Sequence, residues 1–159
     1  MRWSELKDET CPVARGLAVI GDRWTMLVLR DCFQGVRRFE DFQRRLGVTR
    51  HVLADRLRKL EEEGVLERRL YEERPPRYEY RLTEKGIALN PVLATLVHWA
   101  NTWAPHPDGN AMTLVSRETG EPVEPALIDA RTGERLTHRS FRAAKPALSA
   151  AKEATAERT

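Results

Sequence analysis

Apolar positions recur along this chain in two rhythms, and each change of rhythm marks an element. In "CPVARGLAVIGDRWTMLVLRDCFQG", residues 11–35, the spacing is helical: Val13, Leu17 and Ile20 define one face, and Trp24, Leu27, Val28 and Cys32 a second. Pro12 suits a first helical position after Cys11. Gly21-Asp22 divides the run, with Asp22 as cap of the second helix, and Gly35 ends it. "VRRF" reads as a short extended piece, and "EDFQRRL" as a helix too short to stand without a neighbour.

The next segment, "GVTRHVLADRLRKLEEEG", turns at Gly47-Val48, is capped by Thr49, carries a Leu53, Leu57, Leu60 seam and stops at Gly64. The rhythm then shortens. "VLERRLY" and "RYEYRLT" read as two strands, separated by "EERPPR", where Pro75-Pro76 forbids helix and stiffens an exposed loop. From Glu84, "EKGIALNPVLATLVHWANTWA" predicts one long helix kinked near Pro91, with Leu89, Leu93, Leu96, Val97 and Trp103 on one side.

Past Pro105 the composition becomes that of a linker. A near-repeat follows: "LVSRETGEPV" from Leu114 and "LIDARTGERL" from Leu127 align at a period of 13 residues, which predicts two small β-hairpins with Thr-Gly turns. The division expected is therefore a main domain over 1–105, a β-hairpin extension over 106–142, and a flexible Ala-rich tail over 143–159.

Bulk properties narrow the function. At 159 residues, 41% hydrophobic and 32% charged, the chain can bury one real core and lacks any apolar run near the roughly 18 residues of a membrane span. The N-terminal "MRWSELKDETCP" has no apolar signal core, so the cytoplasm is the expected location. Two cysteines and four histidines without metal-ligand spacing point to no disulfide framework, metal or cofactor, and no nucleophile has a visible partner; an enzyme is not expected. The net charge of +3 is a weak argument for a polyanionic partner. Its distribution is a better one: between Arg37 and Arg58 seven arginines face three acids, whereas from His106 onward eight basic and eight acidic residues cancel.

Helix, helix, short strand, short helix, glycine turn, basic helix and hairpin, in that order, is the plan of a winged helix-turn-helix, a mainly α fold with a small β-wing. The basic helix fits a major groove about 12 Å wide with its N-terminus nearest the base edges. Thr49, Arg50, His51, Ala54 and Arg58 would then form its reading face; Arg44, Arg45, Arg56 and Lys59 would bind phosphates; Arg74 and Arg77, at the wing tip, would reach a neighbouring groove or backbone. Taken alone, such a helix also matches a solvated surface face, and a protein-interaction module docking an acidic partner would use the same charges.

The motifs "CPVARGLAVIGDRWTMLVLRD", "RRFEDFQRRL", "LADRLRKLEEEGVLERR", "PPRYEYRLTEKG" and "LNPVLATLVHWA" resemble the HxlR-type winged-helix regulators, relatives of the MarR class, over Cys11 to about Trp103. The resemblance implies a homodimeric transcription regulator, more often a repressor, that binds double-stranded DNA, with dimer contacts from the N-terminal segment and the helix after the wing. Leu93, Leu96, Trp99 and Trp103 would be the dimer anchors, with packing in the chain's own core as the alternative for each. Cys11 occupies the family's Cys-Pro position, which some members use to sense oxidants or electrophiles; a small-molecule effector is the other option, and an unreactive cysteine a third. Cys32 is expected to be a core residue. Some relatives carry a tail resembling a zinc ribbon. Here Ser116, Thr119, Gly120 and Asp129, Thr132, Gly133 stand where its Cys-x-x-Cys-Gly knuckles would be, so a metal-free remnant is expected.

Overall fold

The computed structural model describes residues 3–144. After a 3-10 helix over Trp3–Asp8 come α1 (Pro12–Ile20), α2 (Arg23–Phe33), α3 (Phe39–Leu46), α4 (Arg50–Glu62), strands β1 (Leu66–Glu73) and β2 (Pro76–Leu82), and helices α5 (Glu84–Ile87) and α6 (Asn90–Trp103). A first compact unit runs to Asn110 and a second begins at Ala111. Of the expected flexible tail, 145–159 lies outside the described residues.

The core explains why three short helices hold together. Val28, Leu29 and Cys32 of α2, Phe42 of α3, Val48 of the turn, Leu53, Leu57 and Leu60 of α4, and Val65 and Leu66 at the wing base form one buried cluster. The leucine seam of α4 is thus its inner face, which fixes the opposite face outward. Local signals set the ends. The Asp22 carboxylate accepts from the Trp24 and Thr25 amides at 2.9 and 3.2 Å, and Thr49 Oγ1 from the Val52 amide at 3.4 Å. Gly47, at φ +65°, closes α3 in the left-handed conformation that lets α4 leave at once.

Against the expectations from sequence, four differences stand out. On α2, Leu27 is only half-buried while Leu29 is fully enclosed, so the inner face is rotated slightly. On α1, Val13 (67% exposed) and Leu17 (46%) face outward, and Ala18 is the buried residue. The hairpin is tighter than its prolines suggest: β1 and β2 pair antiparallel from Leu66↔Leu82 to Glu73↔Pro76, which leaves Arg74 and Pro75 as the turn, joined by a cis peptide bond. Finally, the long helix is two helices. Thr83 caps α5 by accepting from the Gly86 amide, and Pro91 sits in the first turn of α6, where its missing N–H costs nothing.

In the second unit the repeat folds as the period requires. Val123 N donates to Leu114 O, Ser116 N to Glu121 O and Gly120 N to Ser116 O; 13 residues on, Leu136 donates to Leu127, Asp129 to Glu134 and Gly133 to Asp129. Each copy closes on one bridge, Val115↔Pro122 and Ile128↔Arg135, with Gly120 and Gly133 at positive φ. Elements so short cannot bury a core of their own, which is consistent with Val115, Val123, Leu127 and Ile128 each lying near half exposed.

Candidate nucleic-acid interface

The outer face of α4 carries Arg50, His51, Ala54 and Arg58, all exposed, with Thr49 exposed at the cap. Arg50 is not loose. Its guanidinium lies 4.8 Å over the Phe39 ring and donates to Gln43 Oε1 at 3.3 Å, so α3 braces the first side chain of α4 without neutralising it. An open concavity of about 620 Å3 separates this helix start from the wing, lined by Arg38, Arg44, Arg50, Arg68 and Arg77, with Tyr71, Tyr78 and Tyr80 on the wing side. Arginines from the helical side and from the hairpin, set among three hairpin-borne aromatic rings and outnumbering the acids Glu40 and Asp41, make a groove suited to a polyanion.

The basic residues of this region do not share one fate, and their carboxylate partners separate them. Arg45 turns inward: its Nε lies 3.4 Å from Asp31 Oδ2, and it also donates to Gln34. Asp31, fully buried on α2, accepts from Arg30 Nε and Nη2 at 3.0 and 2.8 Å as well, so two guanidiniums from two helices meet on one carboxylate. Arg56 likewise spans inward to Asp22 (3.3 Å) and along its own helix to Asp55 (3.5 Å). Lys59 borders, with Arg56, the crevice against Leu17, Ala18 and Asp22. Both face α1 and the start of α2, and Arg56 lies next to the Leu60 edge of the seam on the helical wheel. Arg44 (Asp41, 2.5 Å) and Arg58 (Asp55 and Glu62, both 2.6 Å) are paired but exposed. Those bonds hold Asp55 below the usual carboxylate range, chiefly through the Arg58 hydrogen bond.

Arg45, though exposed, thus has a carboxylate partner on α2, and Arg56 and Lys59 are half-buried beside α1 and α2; these contacts are tertiary, and they tie the three side chains to the fold as well as to the surface. Arg45→Ala and Arg56→Ala are each expected to lower thermal stability while leaving the dependence of DNA affinity on salt unchanged, which melting curves and a salt titration would test. On the wing, Arg74 is at the turn as expected, but Arg77 is not at the tip: it is within β2, 3.3 Å from Glu72 of β1. Arg38 and Arg68 lie in the quoted motifs but were given no contact from sequence. Their signal is the Tyr-x-Tyr alternation of "RYEY" and the Tyr71 that precedes it, which place ring faces for cations to lie on: Arg68 stacks on Tyr78 at 4.4 Å and Arg38 on Tyr71 at 4.6 Å.

A model of the HxlR-like helix-turn-helix family matches residues 19–108, more than half of the chain. The chain belongs to the HxlR-like family. An uncharacterized HTH-type transcriptional regulator of Mycobacterium tuberculosis is 42% identical over 128 residues, 80% of this chain and 81% of the relative. Among solved structures, PA1607, a candidate transcription factor, superposes with a TM-score of 0.79 at 40% identity, covering 89% of this chain and 99% of its own. The redox regulator HypR in its reduced form gives 0.55 at 34% identity, over 58% and 92%. This HxlR-like chain is accordingly a DNA-binding transcriptional regulator with a winged helix-turn-helix fold, and its family is one of regulators, not enzymes.

Two further features of the HxlR-like fold lie away from the groove. On α6, two stripes replace the single predicted side. Leu93, with Leu89 just before the helix, is partly buried and packs on the core. Val92, Leu96, Trp99 and Trp103, spaced at i, i+4, i+7 and i+11, are 44, 47, 57 and 74% exposed. Cys11 is the exposed N-cap residue of α1; Arg15 does not turn toward it but donates to the Glu9 and Thr10 carbonyls at 3.0 and 2.7 Å. Cys32 is enclosed, and burial pushes its thiol up to about 12.

The repeated turns of the second unit do not fit zinc. Ser116 Oγ accepts from the Glu118 and Thr119 amides, both at 3.2 Å, and Asp129 Oδ1 from the Arg131 amide at 2.9 Å. These are oxygen atoms engaged in their own turns, where a zinc knuckle needs thiolates. No group of three or more His, Cys, Asp or Glu converges as metal ligands among the described residues.

Proposed function

We propose that this HxlR-like regulator acts as a cytoplasmic homodimeric repressor that recognises a near-palindromic operator in double-stranded DNA. The observation that carries the sequence-specific part is the pairing of exposed Arg50 and His51 at the open end of α4 with a guanidinium already braced by Phe39 and Gln43. A fixed Arg fork loses little freedom on meeting a guanine edge, which favours base reading over diffuse attraction. Arg58, Arg44 and Arg74 flank it as exposed cations for the phosphate backbone, and the apolar stripe of α6 with Val13 and Leu17 of α1 supplies the second copy's docking face. Two half-sites would lie about 10 bp apart or somewhat more. No helix among the described residues is long and apolar enough to cross a membrane.

Selection of bound fragments from random DNA tests this reading. A single enriched motif with two-fold symmetry is expected, and recovery without any preferred sequence would sink it. Arg50→Ala should remove about 1–3 kcal/mol of discrimination between that motif and a variant altered at one position, with less effect on random DNA. His51→Ala should relax preference at a neighbouring position.

Release of the operator by an oxidant is part of the proposal. HypR is described as a redox regulator and has been solved in reduced and oxidized forms; in the present chain the accessible thiol is Cys11, while Cys32 is sealed in the core. Operator binding measured before and after diamide should fall for the wild type and hold for Cys11→Ser. Equal behaviour of the two would remove the redox response and leave a small-molecule effector as the remaining option.

A further inference from the structure

Arg38 is one of the seven arginines between Arg37 and Arg58, and its surroundings set it apart from the others. It stands at the N-cap of α3, and its backbone is bridged to Glu79 of β2, next to a 2.8 Å hydrogen bond from the Tyr80 amide to the Arg37 carbonyl. The segment before α3 is thus stitched to the wing. The Arg38 guanidinium lies 4.6 Å over the Tyr71 ring and forms no ion pair among the described residues, unlike Arg44, Arg45, Arg56, Arg58 and Arg77, each of which has a carboxylate.

Tyr71 owes its position to an irregularity. Leu70 pairs with Tyr78 and Glu72 with Arg77, so two steps along β1 match one along β2 and Tyr71 is the extra residue of a β-bulge. A bulge costs ladder hydrogen bonds and re-aims a side chain. Here it turns an aromatic face toward α3, where it supports a guanidinium from behind and leaves the N–H edge open. The acids nearby do not neutralise that edge: Asp41 is engaged by Arg44 at 2.5 Å and Glu79 by Arg81 at 2.7 Å, while Glu40, the remaining acid lining the concavity, makes no ion pair with Arg38.

We propose that Arg38 is a DNA-phosphate ligand of this regulator and that Tyr71, delivered by the bulge, is the residue that positions it. Arg38 and Arg50 then grip from two sides of one concavity, Arg38 holding the backbone while Arg50 reads bases. The site rests on the DNA-binding reading above and adds to it a specific, sequence-independent phosphate anchor.

The test uses the full chain and a random-sequence duplex, so it does not depend on knowing an operator. Affinity is measured by fluorescence anisotropy across a salt series for the wild type, Arg38→Ala, Tyr71→Phe and Tyr71→Leu, with melting curves for each. Arg38→Ala should weaken binding roughly five- to tenfold at low salt and reduce the slope of log affinity against log salt by about 0.9 for each phosphate that is no longer neutralised. Tyr71→Phe, which keeps the ring, should retain the wild-type slope; Tyr71→Leu should shift toward Arg38→Ala. An unchanged slope in Arg38→Ala, or a Tyr71→Phe as impaired as Tyr71→Leu, overturns the assignment while wild-type binding persists. A wild type that binds no duplex overturns the DNA-binding reading itself, and the phosphate ligand with it.

Discussion

Replacing Trp99 and Trp103 together by serine is expected to leave a folded monomer whose operator affinity is lower by about two orders of magnitude or more. Leu93 of α6, with Leu89 just before it, packs on the core, whereas both indoles lie outside that cluster and are more than half exposed. Val92 and Leu96 continue the same stripe, and Val13 and Leu17 on α1 add apolar surface. An exposed apolar stripe along one helix is uncommon on a monomer, and covering it gains roughly 25 cal/mol per Å2. Large, rigid indoles in such a stripe carry a disproportionate share of that gain. In the proposed dimer their removal would separate two reading helices that bind as one unit, so that avidity falls with each α4 left intact. Sedimentation should show half the wild-type mass, and circular dichroism an unchanged helix content. A double variant that still sediments as a dimer would show that α6 does not hold the two copies together. Leu93→Ala makes the contrast: its cost should appear in unfolding, because that side chain belongs to the core.

That distinction between neighbouring residues of α6 marks how far the sequence could be read. Periodicity names a face but not what covers it. The Leu53, Leu57, Leu60 seam was legible because a polar helix with one apolar stripe has a single way to turn inward. Val13 and Leu17 share that spacing and face outward, since α1 is apolar on more than one side and buries Ala18 instead. Capping was legible for a similar reason: Asp22, Thr49 and Gly47 act on groups within three or four residues. The fate of each arginine was not. Arg45 is drawn to Asp31 and Arg56 to Asp22, partners 14 and 34 positions away that only the packing of α2 against α3 and α4 brings near. An acid inside the apolar helix α2 gave no warning that it would be fully buried, and the bulge at Tyr71 depends on a strand register that no local pattern specifies.

Gly86→Ala should destabilise the chain by about 1–3 kcal/mol, toward the upper end, although alanine improves a bare helix by roughly 1 kcal/mol over glycine. The two effects have opposite signs, so the measurement decides between them. Gly86 is buried in α5, and a Cβ there would lie 2.3 Å from the Val65 carbonyl oxygen and 2.9 Å from Leu82 Cδ2. Leucine can rotate, but the carbonyl cannot easily retreat. It accepts from the Thr83 amide at 3.1 Å, and the Thr83 hydroxyl is held against the preceding Gly64 carbonyl at 2.6 Å. Lys85 adds a bond to the Glu63 carbonyl, also at 2.6 Å. The end of α4, the root of the wing and α5 are thereby fastened within one turn of chain, and the added methyl must pry that junction apart. The midpoint of thermal unfolding should drop by about 5–10 °C for a loss near the upper end of that range. DNA affinity at a temperature where the variant is folded should change far less, because no reading residue touches the junction. A rise in the midpoint would mean that the close approach of Gly86 to Val65 is not maintained in solution and that helix propensity alone governs this position.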